Sequence, residues 1–162
     1  MIRPATAADA AAIADIWNRI IRDTAISFTT EEKTTAGIAA LIAERGALGQ
    51  PFLVAEEGST VLGFATYGQF RAGPGYARSM EHSINLAPEA RGRGLGAALL
   101  RALEDHARAA GVRILVGGIT ATNAASLALH ARLGYAEVGR LPDAGWKFGR
   151  YHELVFMQKV LD

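Results

Sequence analysis

Asn85-Leu86-Ala87-Pro88-Glu89-Ala90-Arg91-Gly92-Arg93-Gly94-Leu95-Gly96-Ala97 is the stretch whose reading decides the fold. Glycines at 92, 94 and 96 alternate with arginines at 91 and 93, and an apolar stripe of Leu95, Leu99, Leu100 and Leu103 follows. The pattern reads as a turn feeding a helix over 97–110. Glycine accepts positive φ and lets a ligand approach the main chain without meeting a Cβ. The first helical turn leaves N–H groups without intrahelical partners, at the positive end of the macrodipole, so the turn suits a pyrophosphate. Arg91 and Arg93 add full charge. The spacing is neither of the two commonest phosphate loops, since it lacks a Lys-Ser/Thr ending and does not follow the first strand. The plain alternative is a glycine-rich turn capping an ordinary surface helix.

Upstream of the turn, Arg78 to Leu86 reads as a strand that delivers the chain into it, preceded by a loop over Arg71 to Tyr76. Phe52 to Glu56 and Val61 to Phe70 form a hairpin around Glu57-Gly58-Ser59. Ile2 to Pro4 is a short first strand. Asp9 can cap a helix carrying Ile13, Ile16, Trp17, Ile20 and Ile21 on one face. Thr24 to Thr30 reads as a connecting loop, with Phe28 either at a binding cleft or in the core. Thr34 or Thr35 starts a second helix through Ile38, Leu41 and Ile42, ending near Gly46 or Gly49. Downstream, Ile114 to Ile119 is a strand, Asn123 to Leu133 a helix, and Tyr135 to Leu141 and His152 to Val160 two closing strands. A β-meander followed by alternating helices and strands implies an α/β domain, a mixed sheet covered by helices.

The 162 residues fit one domain, 1–162, with a single core. A formal charge of +1 argues against a general polyanion surface, so no nucleic acid is expected as partner. The start has no apolar signal core and no run is long enough for a membrane span, which gives a cytoplasmic expectation without a membrane partner. With no cysteine there is no disulfide, thiolate zinc site or covalent cysteine intermediate. None of the four histidines has metal-ligand spacing with another, so no metal is expected.

The Arg-x-x-Gly-x-Gly spacing of Arg91 to Gly96 resembles the acyl-CoA loop of the GNAT superfamily of N-acetyltransferases. Within it, Met80-Glu81-His82-Ser83-Ile84, Asn123-Ala124-Ala125-Ser126, Leu129-His130, Leu133-Gly134-Tyr135 and Gly145 to Tyr151 are similar to the phosphinothricin and methionine sulfoximine acetyltransferases. Phe52 to Glu56 and Ala65 to Arg71 extend the likeness over most of the chain. The resemblance implies the GNAT fold: a mixed, mostly antiparallel twisted sheet flanked by helices, splayed by a bulge at the acetyl-CoA slot. It implies acetyl-CoA as cosubstrate, with no metal, held by Ile84, Asn85, Leu86, Arg91, Gly92, Arg93, Gly94, Leu95, Gly96, Ala97, Asn123 and Ser126. It places Phe28, Arg71, Ala72, Gly73, Glu81, His82 and Ser83 around a small-molecule amine. Family members often carry an aromatic residue where Asn85 stands and proline where Ala72 stands.

Acetyl transfer to an amine that titrates near about pH 8 to 10 needs a base. Glu81, on the strand leading to the turn, fits that role directly or through one water; a solvated strand-edge glutamate is the alternative. His130 stands where many superfamily members have a tyrosine suited to protonating the leaving thiolate, or else is a packed structural histidine. Asn123 caps its helix and can also hold the pantetheine amide. Arg71 suits a substrate carboxylate, because guanidinium holds two oxygens at once. His82 should point to the sheet face opposite Glu81. Lys147, Phe148, Arg150 and Tyr151 form a basic aromatic cluster, at a homodimer contact by the resemblance or simply at a hairpin tip. The expected function is acetylation of the α-amine of phosphinothricin, methionine sulfoximine or methionine sulfone. Protein N-termini, other small amines, or a non-catalytic CoA-binding module are the alternatives.

Overall fold

A computed structural model describes residues 1–162. Seven strands lie in the order β1-β2-β3-β4-β5-β7-β6. They are β1 (Ile2–Pro4), β2 (Phe52–Glu57), β3 (Thr60–Gln69), β4 (Ser79–Leu86), β5 (Ile114–Thr120), β6 (Ala136–Lys147) and β7 (Arg150–Val160). The helices are α1 (Ala10–Asp23), α2 (Thr35–Ala47), α3 (Leu95–Ala109) and α4 (Ala124–Arg132). No helix is long and apolar enough to cross a membrane.

The sheet separates two cores. On one face α1 and α2 press Ile13, Ile16, Ile20 and Ile38 onto Phe52, Val54, Leu62 and Phe64, with Trp17 tilted against Phe64 at 5.0 Å. On the other, Leu99, Leu100 and Leu103 of α3 bury against Ala65, Tyr67, Met80, Leu115 and Val155. Strand alternation therefore assigns each β4 side chain to one layer. Met80 and His82 face α3, while Glu81 and Ser83 face the α1–α2 side.

Several boundaries differ from the sequence reading. Helix α3 begins at Leu95, two residues earlier, because Gly94 at φ 80° supplies the left-handed turn that starts it. The closing strands run on into one hairpin, Lys147 pairing with Arg150. Asp9 does not cap α1 with its side chain; it closes the preceding turn, accepting from Thr6 N–H at 2.7 Å, and pairs with Arg3, which holds its carboxyl down to about 2.

Only β4 and β5 are parallel, and their pairing stops early. It covers Ser79 to His82 against Ile114 to Gly117, while β4 continues to Leu86 and β5 to Thr120. Beyond His82 the two strands part. The expected bulge is not what opens them: β4 keeps unbroken register with β3 from Met80 to Leu86. Ala87 N–H donates to Leu62 O at 2.8 Å, so by alternation the main-chain groups of Ile84 and Leu86 turn away from β3, toward the gap.

Candidate active site

The gap widens into a cleft of about 420 Å³ lined by Ile84, Asn85 and Leu86 on β4, the 91–97 turn, and Asn123, Ser126 and Leu129 of α4. At its outer end the turn presents main chain alone. Gly92 and Gly94 have φ of 73° and 80°, and nothing lies within 4 Å of where a Cβ would stand on either. No side chain caps α3, and its first N–H to bond within the helix is that of Ala98, to Gly94 O at 3.1 Å. The amides before it are free to meet an anion. At the inner end, the unpaired edge of Ile84 and Leu86 offers donors and acceptors to an amide chain. A diphosphate carried on a flexible amide arm fits both ends, which tests the expectation of a coenzyme A ester on this chain's own geometry.

Arg93 and Leu95 do not turn their side chains into the cleft. Arg93 turns from the cleft to the β2–β3 turn, where one nitrogen donates to both Glu57 oxygens at 2.6 and 2.7 Å. Leu95 packs its side chain into both cores, leaving only its amide to the turn. Arg91 remains in the cleft wall, and Asn123 does what a cap does, accepting from Ser126 N–H at 3.3 Å, while also lining the cleft.

A smaller hollow of about 180 Å³ lies at the root of the gap, between Ser83 to Asn85 and Gly117 to Thr120. Trp17, Ile26 and Ser27 bound it from the α1 side. Next to it, the Glu81 carboxylate leans over β5: a methyl group at Gly118 would come within 3.7 Å of its Oε2 and 3.8 Å of the Phe156 ring. Glu81 is exposed as a residue, yet partial desolvation of its carboxylate against these strands raises its pKa above the usual carboxylate value, and Arg71 offsets part of the rise. A raised carboxylate pKa favours proton acceptance from an amine. Arg71 lies over the Phe70 ring at 4.9 Å, and Phe70 meets Phe156 and Tyr76 edge to face at 6.1 and 6.4 Å. Gln69 holds the loop beyond, its amide donating to the carbonyls of Arg71 and Gly73 at 2.7 Å each, with Ala72 exposed between them.

His82 does not join that face. It is 5% exposed on the α3 side, and its Nε2 lies 2.9 Å from Nε2 of His130. The protons of this pair can be assigned. His130 Nδ1 faces the Ser126 carbonyl at 2.7 Å and must donate to it, so His130 Nε2 accepts from His82 Nε2–H. His82 Nδ1 is left buried without a partner. Burial pushes His82 down to about 3 and lowers His130 as well, against the smaller opposing pull of Ser126 and Glu104. Both rings are neutral at pH 7. The bare Gly117 makes room for them, since a methyl group there would come within 3.0 Å of His82 and 3.3 Å of His130.

Sequence reasoning missed the residues from other elements that close the hollow: Trp17, Ile26, Ser27, Ile119 and Thr120. One signal was present in the Gly117-Gly118 pair inside an apolar strand, a pattern that marks close approach of another group. Lys147 was misread. It is 2% exposed, inside the molecule, while its neighbours Trp146 and Phe148 are 59% and 60% exposed.

Comparison with known proteins gives concordant findings. The profile of the acetyltransferase (GNAT) family matches residues 14–135. The chain is 41% identical to the L-methionine sulfoximine/L-methionine sulfone acetyltransferase of Salmonella typhimurium, over 99% of this chain and 94% of that one. It superposes with a TM-score of 0.95 on a phosphinothricin acetyltransferase from Sinorhizobium meliloti in complex with AcCoA, at 33% identity, covering 99% of this chain and 88% of the other. A ribosomal-protein-alanine N-acetyltransferase from Brucella melitensis gives a TM-score of 0.97 at 41% identity, covering 99% of both chains.

Proposed function

Because the chain belongs to the GNAT family of acetyltransferases, we propose that this N-acetyltransferase moves the acetyl group of acetyl-CoA onto the α-amine of a small amino-acid analogue such as methionine sulfoximine, methionine sulfone or phosphinothricin. The observation that carries the proposal is the parting of β4 from β5 beyond His82, with a carboxylate of raised pKa beside the opening. When bound, acetyl-CoA supplies a thioester carbonyl open to attack by an amine. The amides of the 92–97 turn and Arg91 hold the diphosphate, and the free edge of Ile84 and Leu86 orients the pantetheine arm. An N–H on that edge also opposes the charge that develops on the carbonyl oxygen. Glu81 takes the amine proton, directly or through one water. Arg71 holds the substrate carboxylate, and Phe28, Ala72, Gly73 and Ser83 border the amine.

His130 keeps a narrower part. Neutral and engaged at both nitrogens, it reaches the leaving sulfur only by way of the Ser126 hydroxyl, which lies 3.4 Å from Nδ1 and lines the cleft. His82 holds the far nitrogen. The exposed strip of Trp146, Phe148 and Tyr151 supports a homodimer contact along the β6–β7 hairpin.

A second reading, acetylation of a peptide N-terminus, draws on the likeness to the ribosomal-protein-alanine enzyme. Thiol release from acetyl-CoA over a panel containing methionine sulfone, methionine sulfoximine, phosphinothricin and an alanine-initiated peptide separates the two. Turnover of at least one amino-acid analogue above the peptide is expected. Turnover of the peptide alone overturns the substrate class, and coenzyme binding without thiol release on any amine overturns the enzyme.

A further inference from the structure

The segment 24–30 has no regular structure of its own, yet through Ile26 and Ser27 it bounds the hollow beside Glu81. Groups from three strands hold it there. From β5, Thr120 Oγ1 donates to Ala25 O at 2.7 Å. From β6, Lys147 Nζ donates to Ile21 O and, at 2.7 Å each, to Thr24 O and Ser27 O. From β7, His152 stacks on Phe28 with centroids 5.8 Å apart. Gly145 leaves the Phe28 ring its place, since a methyl group there would overlap it. His152 Nε2 in turn donates to Lys147 O at 2.9 Å, tying the latches together.

Lys147 is an odd group to bury. It has no carboxylate partner, and burial lowers its pKa from the ordinary lysine value. Three carbonyl acceptors nevertheless call for three hydrogens, which only the ammonium carries. Ile21 lies in the last turn of α1, where the helix dipole also favours a cation. As a device for general stability this is poor, because an apolar side chain in place of a buried charge is often neutral or better. Its reach, more than a hundred residues along the chain to a segment that borders the reaction hollow, gives it a different use.

We propose that Lys147 is a positioning residue for the amine: it fixes the 24–28 segment as a permanent roof over the hollow, so that the substrate enters a preformed pocket opposite Glu81. The proposal rests on the acetyltransferase reading. Ordering a backbone segment opposes whatever event requires it. With the latch closed on folding, amine binding is relieved of that opposition; with the latch open, it is not.

Lys147→Met keeps the length of the side chain and removes every donor. The KM for the amine is expected to rise about tenfold or more, with kcat at saturating amine changing far less and the calorimetric Kd for coenzyme A rising far less, since Ile26 alone of the segment also lines the coenzyme cleft. Amide hydrogen exchange should speed up over 24–30 and stay as in the parent protein over 92–97. Unchanged KM and unchanged exchange at 24–30 in a folded variant overturn the proposal, and so does an equal loss of coenzyme and amine binding. Should Lys147→Met fail to fold, Thr120→Val removes one latch and leaves the lysine: a smaller rise in KM and faster exchange over 24–30 are expected, and neither appearing overturns the roof. If the parent protein acetylates no amine, the acetyltransferase reading fails by itself, while the exchange comparison still decides the latch.

Discussion

The two halves of the cleft are built from different materials. The half that receives the coenzyme takes its polar groups chiefly from the main chain of one contiguous stretch, Ile84 to Ala97, faced by one side of α4 and by Ile20 and Ile26. The half proposed for the amine draws on side chains from everywhere else: Phe28, Arg71, Glu81, Thr120, Lys147 and Phe156 stand on six different segments. A main-chain site is hard to damage by truncating side chains and easy to damage by adding a Cβ where φ is positive. A side-chain site has the opposite sensitivity. Substitutions should therefore divide by half, moving coenzyme affinity or amine kinetics but seldom both.

The largest separation is expected from Glu81→Gln. The amide keeps the shape of the side chain over Gly118 but accepts no proton from an ammonium. Amine-dependent kcat should fall by about 10²–10⁴-fold, with coenzyme A binding measured by calorimetry unchanged. Retained turnover breaks the assignment of the base. A parallel loss of coenzyme affinity breaks the division itself.

The histidine pair lines the root of the gap from beneath, and it makes the seam sensitive to acid. Because burial holds both rings below the ordinary histidine value, the unfolded chain binds protons that the folded chain refuses. Their contribution to stability is complete above the unfolded value and is lost as pH falls from about 6.5 toward the folded values. Each ring contributes up to about 1.4 kcal/mol per pH unit in that window. Thermal melts between pH 7 and pH 4 should show a steep decline that His82→Gln, which removes one of the two titrating rings, makes shallower. Parallel profiles for parent and variant would show that His82 is not protected from protons.

Gly94→Ala probes the main-chain half. At φ 80° an added Cβ costs about 1–2 kcal/mol. Nothing packs within 4 Å of that position, so the turn is free to relax into another shape in the unliganded protein. The strain then reappears on binding, and coenzyme affinity should weaken by about tenfold, with little change in melting temperature. The amine KM at saturating coenzyme should not move. A fall in melting temperature with coenzyme affinity intact would mean that the turn is rigid before the coenzyme arrives.

How much of this could be read from residues alone follows the same division. The coenzyme turn was legible because its information is local: three glycines, an arginine and an apolar stripe act within fifteen residues of one another. The sheet, its helices and the family resemblance were legible for the same reason. The parting of β4 and β5 left only an indirect trace, the Gly117-Gly118 pair, because strand separation is a property of two segments and not of either. The pairing of His82 with His130 spans forty-eight residues and has no periodic signal. Lys147 was grouped with Phe148, Arg150 and Tyr151 because nothing local in Trp146-Lys147-Phe148 shows which face of the strand turns inward. The inner face of that strand meets the carbonyl-rich end of α1, so the cation goes in and the rings go out.

Arg93 supplies the smallest expected effect and the finest test of the comparison. A motif reading gives both arginines of the turn to the diphosphate, whereas the fold hands Arg93 to Glu57. That pair is exposed, and exposed pairs contribute about 0–1 kcal/mol, so a bound diphosphate would need little advantage to recruit the guanidinium. What opposes recruitment is direction: Arg93 leaves the main chain on the side of the β2–β3 turn, away from the amides that grip the anion. Arg93→Ala should therefore change coenzyme A affinity by less than about twofold, whereas Arg91→Ala, on the cleft wall, should weaken it by several-fold and flatten its dependence on salt. A Glu57→Gln variant decides the matter from the other side. If releasing Arg93 from its partner tightens coenzyme binding, the arginine does swing to the phosphate, and the coenzyme half of the cleft depends on two arginines rather than one.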